Sequence, residues 1–172
     1  MSEQISITKI PVFKDNRGYF FASEISKEWI QSNLSYNDHK YTFRGMHLQF
    51  GEFSQTKKVT VIQGQIIDFI LDLRPQNFGK IQNFLLNQGD TILIPNYCAH
   101  GFLTLVSNTI VNYFIDKPYN KDSEFSIKWS TIPEIKNIID SEIKDSTSSM
   151  VISDKDENAL SIDHFYQHLI NV

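Results

Sequence analysis

The side chains in this sequence that are best suited to chemistry are a histidine and an arginine three positions apart. Arg44 and His47 lie in residues 43–49 (FRGMHLQ), a segment typical of a β-strand. Because side chains alternate along a regular strand, we expect Gly45 and Gln49 to share a face with His47 and Arg44 to point the other way. A neutral histidine can accept a proton near neutral pH, and an arginine can bind an anionic group.

A second histidine, His100, follows in residues 95–102 (PNYCAHGF). Either histidine alone is most simply a hydrogen-bonded residue of the core. Lys57 and Tyr113 lie on neighbouring predicted strands, however, and barrel interiors are normally apolar unless they hold a ligand. The two histidines therefore predict a shared site inside a barrel, and the residue types alone leave metal binding, proton transfer and packing open.

Short strands must position these side chains. Apolar segments run through residues 43–114 and are separated by turn residues at 63–64, 87–90 and 107–108. This spacing is typical of a β-sandwich or barrel, and we expect hairpins at 63–64 and 107–108.

Other structure is expected at the two ends of the chain. Residues 26–30 predict a short helix with Ser26 as its N-cap, and residues 161–170 predict a terminal helix. The polar residues 130–150 are expected to form an irregular excursion before this tail. Because nothing marks a boundary, we expect residues 1–172 to form a single domain.

Composition limits the classes of partner. The 172 residues carry a net charge of −4 without a basic cluster, which argues against nucleic acid. Cys98 is the only cysteine, the N-terminus lacks the features of a signal peptide, and the longest apolar segments are far shorter than a membrane span. We therefore expect a cytoplasmic protein without a membrane partner.

Two motifs point to a particular barrel. Gly45-Met46-His47-Leu48-Gln49 with Gly64 resembles the first motif of cupins, and Gly89, Pro95 and His100 resemble the second. The resemblance implies an all-β, cupin-type jelly-roll barrel (a double-stranded β-helix) with a short C-terminal helical segment. Metal-binding cupins have a second histidine where this chain has Gln49, a poor ligand, so a metal site would need His47, His100 and a carboxylate such as Glu52. We expect no metal.

Further motifs narrow the resemblance to one family. They are Arg44-Gly45-Met46-His47-Leu48-Gln49, then Lys57, then Asp72-Leu73-Arg74 with Asn77-Phe78-Gly79-Lys80, then Ile94-Pro95 with Ala99-His100-Gly101-Phe102, and near the N-terminus Asp15-Asn16-Arg17-Gly18-Tyr19-Phe20. Together they resemble the dTDP-4-dehydrorhamnose 3,5-epimerase family, over about residues 9–129 and again at 152–156. The resemblance implies a homodimer without a cofactor that epimerises a nucleotide-linked 4-keto-6-deoxy sugar in deoxysugar biosynthesis.

The resemblance also implies catalytic roles. His47 would remove a proton from a carbon beside the C4 carbonyl, with Asp156 orienting its ring. Lys57 would stabilise the oxyanion at O4. Tyr113 would return a proton on the opposite face, with Tyr119 as a competing candidate. Substrate contacts are expected from Arg17, Phe20, Arg44, Gln49, His100 and Tyr119, with Arg17 reaching the nucleotide across the dimer.

Departures from the family pattern leave the substrate open. Ala22 replaces a glutamate associated with nucleotide binding, the loop at 36–42 is shorter, and Trp129 is followed by Ser130 and Thr131 instead of Asn-Asp. A dTDP-linked sugar is expected, with GDP- or UDP-linked sugars as alternatives, and inversion at one carbon only is also open. Competing functions are a nucleotide-sugar 3,4-ketoisomerase, a non-catalytic sugar-nucleotide-binding cupin and a metal-dependent cupin.

Overall fold

Antiparallel strands dominate the computed structural model, which describes residues 5–9, 13–15, 18–20, 28–144 and 146–170. The strands are β1 (Ser6–Lys9), β2 (Phe13–Asp15), β3 (Gly18–Phe20), β4 (Gln31–Asn37), β5 (Phe43–Gln49), β6 (Lys57–Gln63), β7 (Gln65–Asp72), β8 (Lys80–Asn87), β9 (Asp90–Ile94), β10 (Cys98–Thr104), β11 (Thr109–Ile115) and β12 (Glu124–Ser126). The helices are α1 (Pro133–Ile143), α2 (Asp154–Glu157) and α3 (Ile162–Ile170). Short 3-10 turns occur at Gly51–Phe53, Pro75–Asn77, Lys121–Ser123 and Trp129–Thr131.

In the described part of the chain, the strands form two five-stranded antiparallel sheets. Sheet A has the order β1-β9-β6-β11-β4, and sheet B has the order β12-β5-β10-β7-β8. Strands β2 and β3 pair separately. Apart from the consecutive strands β7 and β8, neighbouring strands within each sheet are not consecutive in the chain, as in a jelly roll. The all-β, cupin-type prediction is confirmed.

Apolar side chains fill two layers, one between the sheets and one on the outer face of sheet B. Strand β7 contributes to both, because alternate residues of a strand face opposite ways. Ile66 and Ile70 pack between the sheets, whereas Phe69 and Leu71 pack in a cluster that includes Phe165 of α3. The site therefore has packed apolar layers behind it, which fix the strands that carry its side chains.

At both predicted hairpins, the chain passes from one sheet to the other. The turn at 63–64 joins β6 of sheet A to β7 of sheet B, and the turn at 107–108 joins β10 of sheet B to β11 of sheet A. Gly64 and Asn108 adopt positive φ angles of 92° and 56° at these points. The turns were predicted correctly, but the strands on either side pair with other strands. The hairpin prediction was therefore wrong.

Residues 130–150 are not irregular throughout, which corrects the sequence prediction. Helix α1 occupies Pro133–Ile143, with proline at its start, where the missing N–H costs no hydrogen bond. Ile135 and Ile139, four residues apart on one helix face, are fully buried in the same cluster as Phe69. The polar residues of this segment lie on the opposite face of a helix that covers sheet B.

The ends of the chain agree with the prediction in part. Helix α3 confirms the predicted terminal helix. Of the predicted helix at 26–30, residue 28 lies in a turn and residues 29–30 belong to no helix or strand, whereas residues 26–27 lie outside the described part. No helix in the described part is both long and apolar enough to span a bilayer.

Candidate active site

A cavity of about 360 Å³ opens between the two sheets. Sheet A lines it from β4, β6 and β11, and sheet B lines it from β5, β10 and β12. Seven of the predicted site residues meet there: Arg44, His47, Lys57, His100, Tyr113, Tyr119 and Asp156. Side chains from positions more than 100 residues apart thus share one concave surface, which is where small-molecule sites are typically found.

His47 and Asp156 form a hydrogen-bonded pair on the cavity wall. Nε2 of His47 lies 2.7 Å from Oδ1 of Asp156, and the backbone N–H of Gly45 donates to Oδ2 at 3.2 Å. Burial alone would raise the pKa of the Asp156 carboxyl, but the hydrogen bonds from His47 and Gly45 outweigh it and lower the pKa. Because an ionised carboxylate can only accept hydrogen bonds, this pairing requires the proton on Nε2, and in the neutral imidazole Nδ1 then keeps its lone pair.

Asp156 reaches this position on a segment fixed at both ends. Val151 bridges Thr42, and Leu160 bridges Ile127, each in parallel register. Between the bridges, Ser153 caps the short helix α2 by accepting a hydrogen bond from the Asp156 N–H. Two attachments to the sheet thus place the carboxylate of residue 156 beside a histidine 109 residues earlier in the chain.

Arg44 lies on the same side of β5 as His47, contrary to the prediction. The register passes from His47 opposite His100 to Arg44 opposite Phe102, so three steps along β5 match two along β10. This is a β-bulge, and it turns Arg44 into the cavity. Gly45 sits in the bulge with φ of 124°, where a Cβ atom would come within 2.4 Å of the Gly101 Cα. The close backbone approach therefore requires glycine.

The guanidinium of Arg44 is held from β4. Its Nε donates to the Asn37 side chain at 2.7 Å, and Nη2 donates to the Tyr36 carbonyl at 3.3 Å. These contacts fix a positive charge on the cavity wall, where it can bind an anionic group.

Lys57 places a nearly buried ammonium group in the cavity. The residue is 8% exposed, and its Nζ donates to the His47 carbonyl at 3.0 Å. Burial lowers the Lys57 pKa to about 8, against a smaller opposing effect of the Asp68 carboxylate. The ammonium is therefore mostly charged near neutral pH and carries little of the water that would weaken its interaction with a substrate oxygen.

His100 is paired with a carboxylate that the sequence analysis missed. Its Nε2 lies 2.7 Å from Oδ2 of Asp68, which is fully buried. Oδ1 of Asp68 has no hydrogen-bond partner among the described residues. Asp68 interrupts an otherwise apolar strand, and a carboxylate in the middle of such a strand is a signal that could have identified it. His100 therefore forms a hydrogen bond with Asp68 while also lining the cavity.

The two candidate tyrosines occupy different environments. Tyr113 lies partly buried on β11, and burial raises its pKa, although Arg44 acts in the opposite direction. Tyr119 is 58% exposed at the mouth of the cavity, where its hydroxyl donates to Oε2 of Glu124 at 2.9 Å. The hydrogen bond with Glu124 raises the Tyr119 pKa. Tyr113 therefore faces the interior, while the hydroxyl of Tyr119 is already engaged.

The structure does not bring Gln49 into the cavity, which corrects the substrate-binding prediction. The residue is 4% exposed, and its amide nitrogen donates to the backbone carbonyls of Phe53 and Pro118. Its amide oxygen accepts from the Asn120 N–H at 2.7 Å. The side-chain amide of Gln49 is therefore engaged by backbone groups outside the cavity lining.

Several polar residues of the cavity were not found from the sequence. They include Gln31, Asn33, Glu124 and Lys155. Gln31 and Asn33 alternate on β4, and this period of two was the available signal. Glu124 is joined to Lys155 by a salt bridge of 2.7 Å and to Tyr119 by the hydrogen bond already described. The mouth of the cavity is therefore more polar than the sequence analysis indicated.

Two predicted contacts cannot be placed. Arg17 lies outside the described residues, as does the side chain of Phe20, although the backbone of Phe20 belongs to β3. Ala22, the site of a departure from the family pattern, is likewise outside them.

The described residues do not bring three or more His, Cys, Asp or Glu side chains together for a metal ion. Glu52, the carboxylate considered as a ligand, is exposed on the turn Gly51–Phe53 and does not line the cavity. His47 and His100 are each bonded to their own aspartate instead.

The fold and the site together define a cupin-fold carbohydrate epimerase. The family model described as dTDP-4-dehydrorhamnose 3,5-epimerase matches residues 3–164, and the chain belongs to this family. It is 31% identical over 175 residues to the dTDP-4-dehydrorhamnose 3,5-epimerase of Escherichia coli, covering 94% of this chain and 91% of that protein. The enzyme of the same name from Methanothermobacter thermautotrophicus is 34% identical over 160 residues, covering 86% and 83%.

Solved structures of this family share the fold. A crystal structure of the Bacillus anthracis dTDP-4-dehydrorhamnose 3,5-epimerase with TDP and PPi bound superposes with a TM-score of 0.76 at 31% identity, covering 92% of this chain and 94% of that one. The Legionella pneumophila dTDP-6-deoxy-D-glucose-3,5-epimerase, in complex with dTDP-4-keto-L-rhamnose, gives a TM-score of 0.77 at 27% identity, covering 96% and 91%.

Proposed function

We propose that this chain epimerises a dTDP-linked 4-keto-6-deoxy sugar at C3 and C5, the carbons that flank its C4 carbonyl. The observation that carries the proposal is the His47–Asp156 pair, which leaves one imidazole nitrogen free as a base in the cavity that also holds Lys57 and Tyr113. The ligands of the Bacillus anthracis and Legionella pneumophila enzymes support dTDP as the nucleotide.

The proposed reaction begins with proton abstraction. Nδ1 of His47 takes the proton from the carbon beside the carbonyl, the electrons of the broken C–H bond form a C=C bond to C4, and the π electrons of the carbonyl move to O4. Asp156 stabilises the resulting imidazolium, and the Lys57 ammonium stabilises the oxyanion at O4. The Asp156 carboxylate and the Lys57 ammonium are both in place before the reaction, so neither group has to move as the transition state forms.

Reprotonation from the other face completes the inversion. Tyr113 is the proposed acid, since its raised pKa keeps the hydroxyl protonated near neutral pH and its position is interior. The enolate collapses to the ketone as carbon takes the tyrosine proton. Tyrosinate and imidazolium then exchange protons with solvent, so each inverted carbon acquires hydrogen from water.

Proton NMR in D₂O with dTDP-, GDP- and UDP-linked 4-keto-6-deoxy sugars tests the proposal. We expect the C3 and C5 proton signals of the dTDP sugar to disappear. Loss of one signal would indicate a single-centre epimerase. Faster proton exchange in the GDP- or UDP-linked sugar would identify that nucleotide, instead of dTDP, as part of the substrate. Movement of the carbonyl would instead indicate a 3,4-ketoisomerase, and binding without exchange a non-catalytic cupin.

Replacing Asp156 by asparagine should abolish most activity while leaving the fold intact. The Gly45 N–H would hold the amide oxygen, so the amide NH₂ would point at His47 and donate to Nε2. That histidine would then carry its proton on Nδ1, where the base is needed. We expect kcat to fall by at least about 10²-fold. Glu157→Gln, which changes an exposed neighbour on α2, is the matched control, and a kcat of Asp156→Asn equal to that of the control would contradict the prediction.

The pH dependence should show an alkaline limb that arises from Lys57. With its pKa at about 8, the ammonium loses its charge above that pH, and kcat/KM should fall by about tenfold per pH unit. Folding does not explain such a loss. The unfolded chain binds more protons at this lysine between the folded pKa of about 8 and the ordinary 10.5, so this group makes the fold more stable as pH rises through that window. A flat kcat/KM profile across that range would contradict the assignment.

A homodimer is the second part of the proposal. Among the described strands β4 lies at an edge of sheet A, and its Leu34 and Tyr36 are exposed in the single chain, with Leu34 at 64%. Exposed apolar side chains on an edge strand favour association. We expect sedimentation equilibrium to give twice the chain mass of 20.0 kDa, and Leu34→Asp to weaken the dimer. A single-chain mass at micromolar concentration would count against it.

A further inference from the structure

Gln49 connects the strand of the base to the loop that carries Tyr119. It lies two residues after His47 on β5, and its three hydrogen bonds cross to other segments. One reaches the Phe53 carbonyl, at the end of the turn Gly51–Phe53. The other two reach the Pro118 carbonyl at 3.0 Å and the Asn120 N–H at 2.7 Å.

These last two bonds hold the peptide groups on either side of Tyr119. The Gln49 amide thus grips the backbone immediately before and immediately after this tyrosine, whose own side chain is largely exposed. The loop has further attachments, since Gln55 donates to the Lys117 carbonyl and the Thr56 N–H donates to the Asp116 side chain. Those contacts lie before Pro118, and the Glu124 carboxylate holds only the Tyr119 hydroxyl, whereas Gln49 holds the backbone on both sides of the tyrosine.

Because Gln49 is buried, its hydrogen bonds to the loop cannot be replaced by bonds to water. Gln49 is 4% exposed, and a buried amide whose donors and acceptor are all bonded fixes the groups that it touches, because breaking any of these bonds leaves a polar atom unpaired. Leucine or methionine could fill the same space without holding the loop. A purely apolar filler would therefore leave the Tyr119 backbone free to shift at the mouth of the cavity.

We propose that Gln49 is a positioning residue that sets the place of Tyr119 at the mouth of the cavity and acts on substrate affinity through it. The inference rests on the proposed function and on the substrate contact that the family resemblance implies for Tyr119. It assigns to Gln49 no contact with the substrate and no part in proton transfer.

A double-mutant cycle on steady-state kinetics tests the proposal. Gln49→Met should raise KM for the dTDP sugar by about tenfold while kcat changes by less than about threefold. Tyr119→Ala should also raise KM, and the double variant should be no worse than Tyr119→Ala alone, since the two residues act through the same contact. Gln65→Met on β7, outside the cavity, is the control for the substitution itself.

Distinct outcomes would overturn the inference. If KM in the double variant rose by the product of the two single effects, Gln49 would not act through Tyr119. A fall in kcat of Gln49→Met with KM unchanged would lead to the same conclusion. If Tyr119→Ala leaves KM unchanged, the substrate contact assigned to Tyr119 fails, and the inference fails with it. Wild-type chain without any exchange of C3 or C5 would instead refute the proposed function.

Hydrogen exchange provides a readout independent of activity. The Asn120 amide should exchange faster in Gln49→Met, because its acceptor has been removed, and unchanged exchange would refute the link to the loop. If Gln49→Met does not fold, Gln49→Glu keeps an acceptor for that amide and removes both donations. It should then raise KM while the Asn120 amide stays protected, and an unchanged KM would overturn the proposal.

Discussion

Turnover of His47→Ala is expected to fall by about 10²–10⁴-fold, the usual contribution of a general base. His47 donates a hydrogen bond from Nε2 to Asp156 and leaves Nδ1 available in the cavity, so its removal leaves the substrate proton without an acceptor. The side chain of His47 is 34% exposed, and truncation opens space to water instead of an empty core. Circular dichroism and thermal unfolding should therefore remain close to wild type.

Two controls separate loss of the base from general damage. His164→Ala removes an exposed histidine of α3 and should leave turnover unchanged. Added imidazole, which fits the space left by the side chain, should restore part of the exchange in His47→Ala. Near-normal turnover of the folded variant, or a loss that is matched by His164→Ala, would contradict the assignment of His47.

Lys57→Met should separate activity from stability. Without the ammonium, the developing charge at O4 loses its fixed partner, and we expect kcat to fall by about 10²–10³-fold. Methionine has a similar shape and carries no charge to desolvate, and burial is what lowers the Lys57 pKa. The midpoint of thermal unfolding should therefore stay constant or rise.

The matched control for this change is Lys58→Met. Lys58 is the next residue of β6, and its side chain is not among those that line the cavity. The Lys58→Met variant should retain activity. The fall of kcat/KM above about pH 8 should persist in Lys58→Met and vanish in Lys57→Met. A marked loss of stability in Lys57→Met, or the persistence of that fall, would mean that the lysine serves the fold and not the reaction.

Much of the site was accessible from the sequence because its residues occur in spaced motifs. His47, Lys57 and His100 lie on predicted strands, and the structure places all three on the same cavity. Asp156 came from the family resemblance alone, since an acidic residue at a helix start is ordinarily a solvated one. Only the folded chain shows it to be buried beside His47.

The errors share a physical cause, which is that the deciding contacts are remote in sequence. The turns at 63–64 and 107–108 were correct locally, but the choice of sheet for each flanking strand depends on partners such as β9 and β4. Helix α1 was missed because its polar residues obscured the spacing of Ile135 and Ile139, which sheet B buries. Gln49 was given to the substrate, whereas distant backbone groups engage it.

The sequence alone was sufficient to predict the all-β class, the family and seven of the side chains that line the cavity, because hydrophobic alternation, turn residues and motif spacing are local properties. The tertiary structure decided which of those side chains meet and how they face. The bulge at Gly45 turned Arg44 toward His47, because the backbone of Gly101 approaches too closely for a regular strand. Asp68 and Asp156 acquired their histidine partners only when the two sheets and the C-terminal segment closed around one cavity.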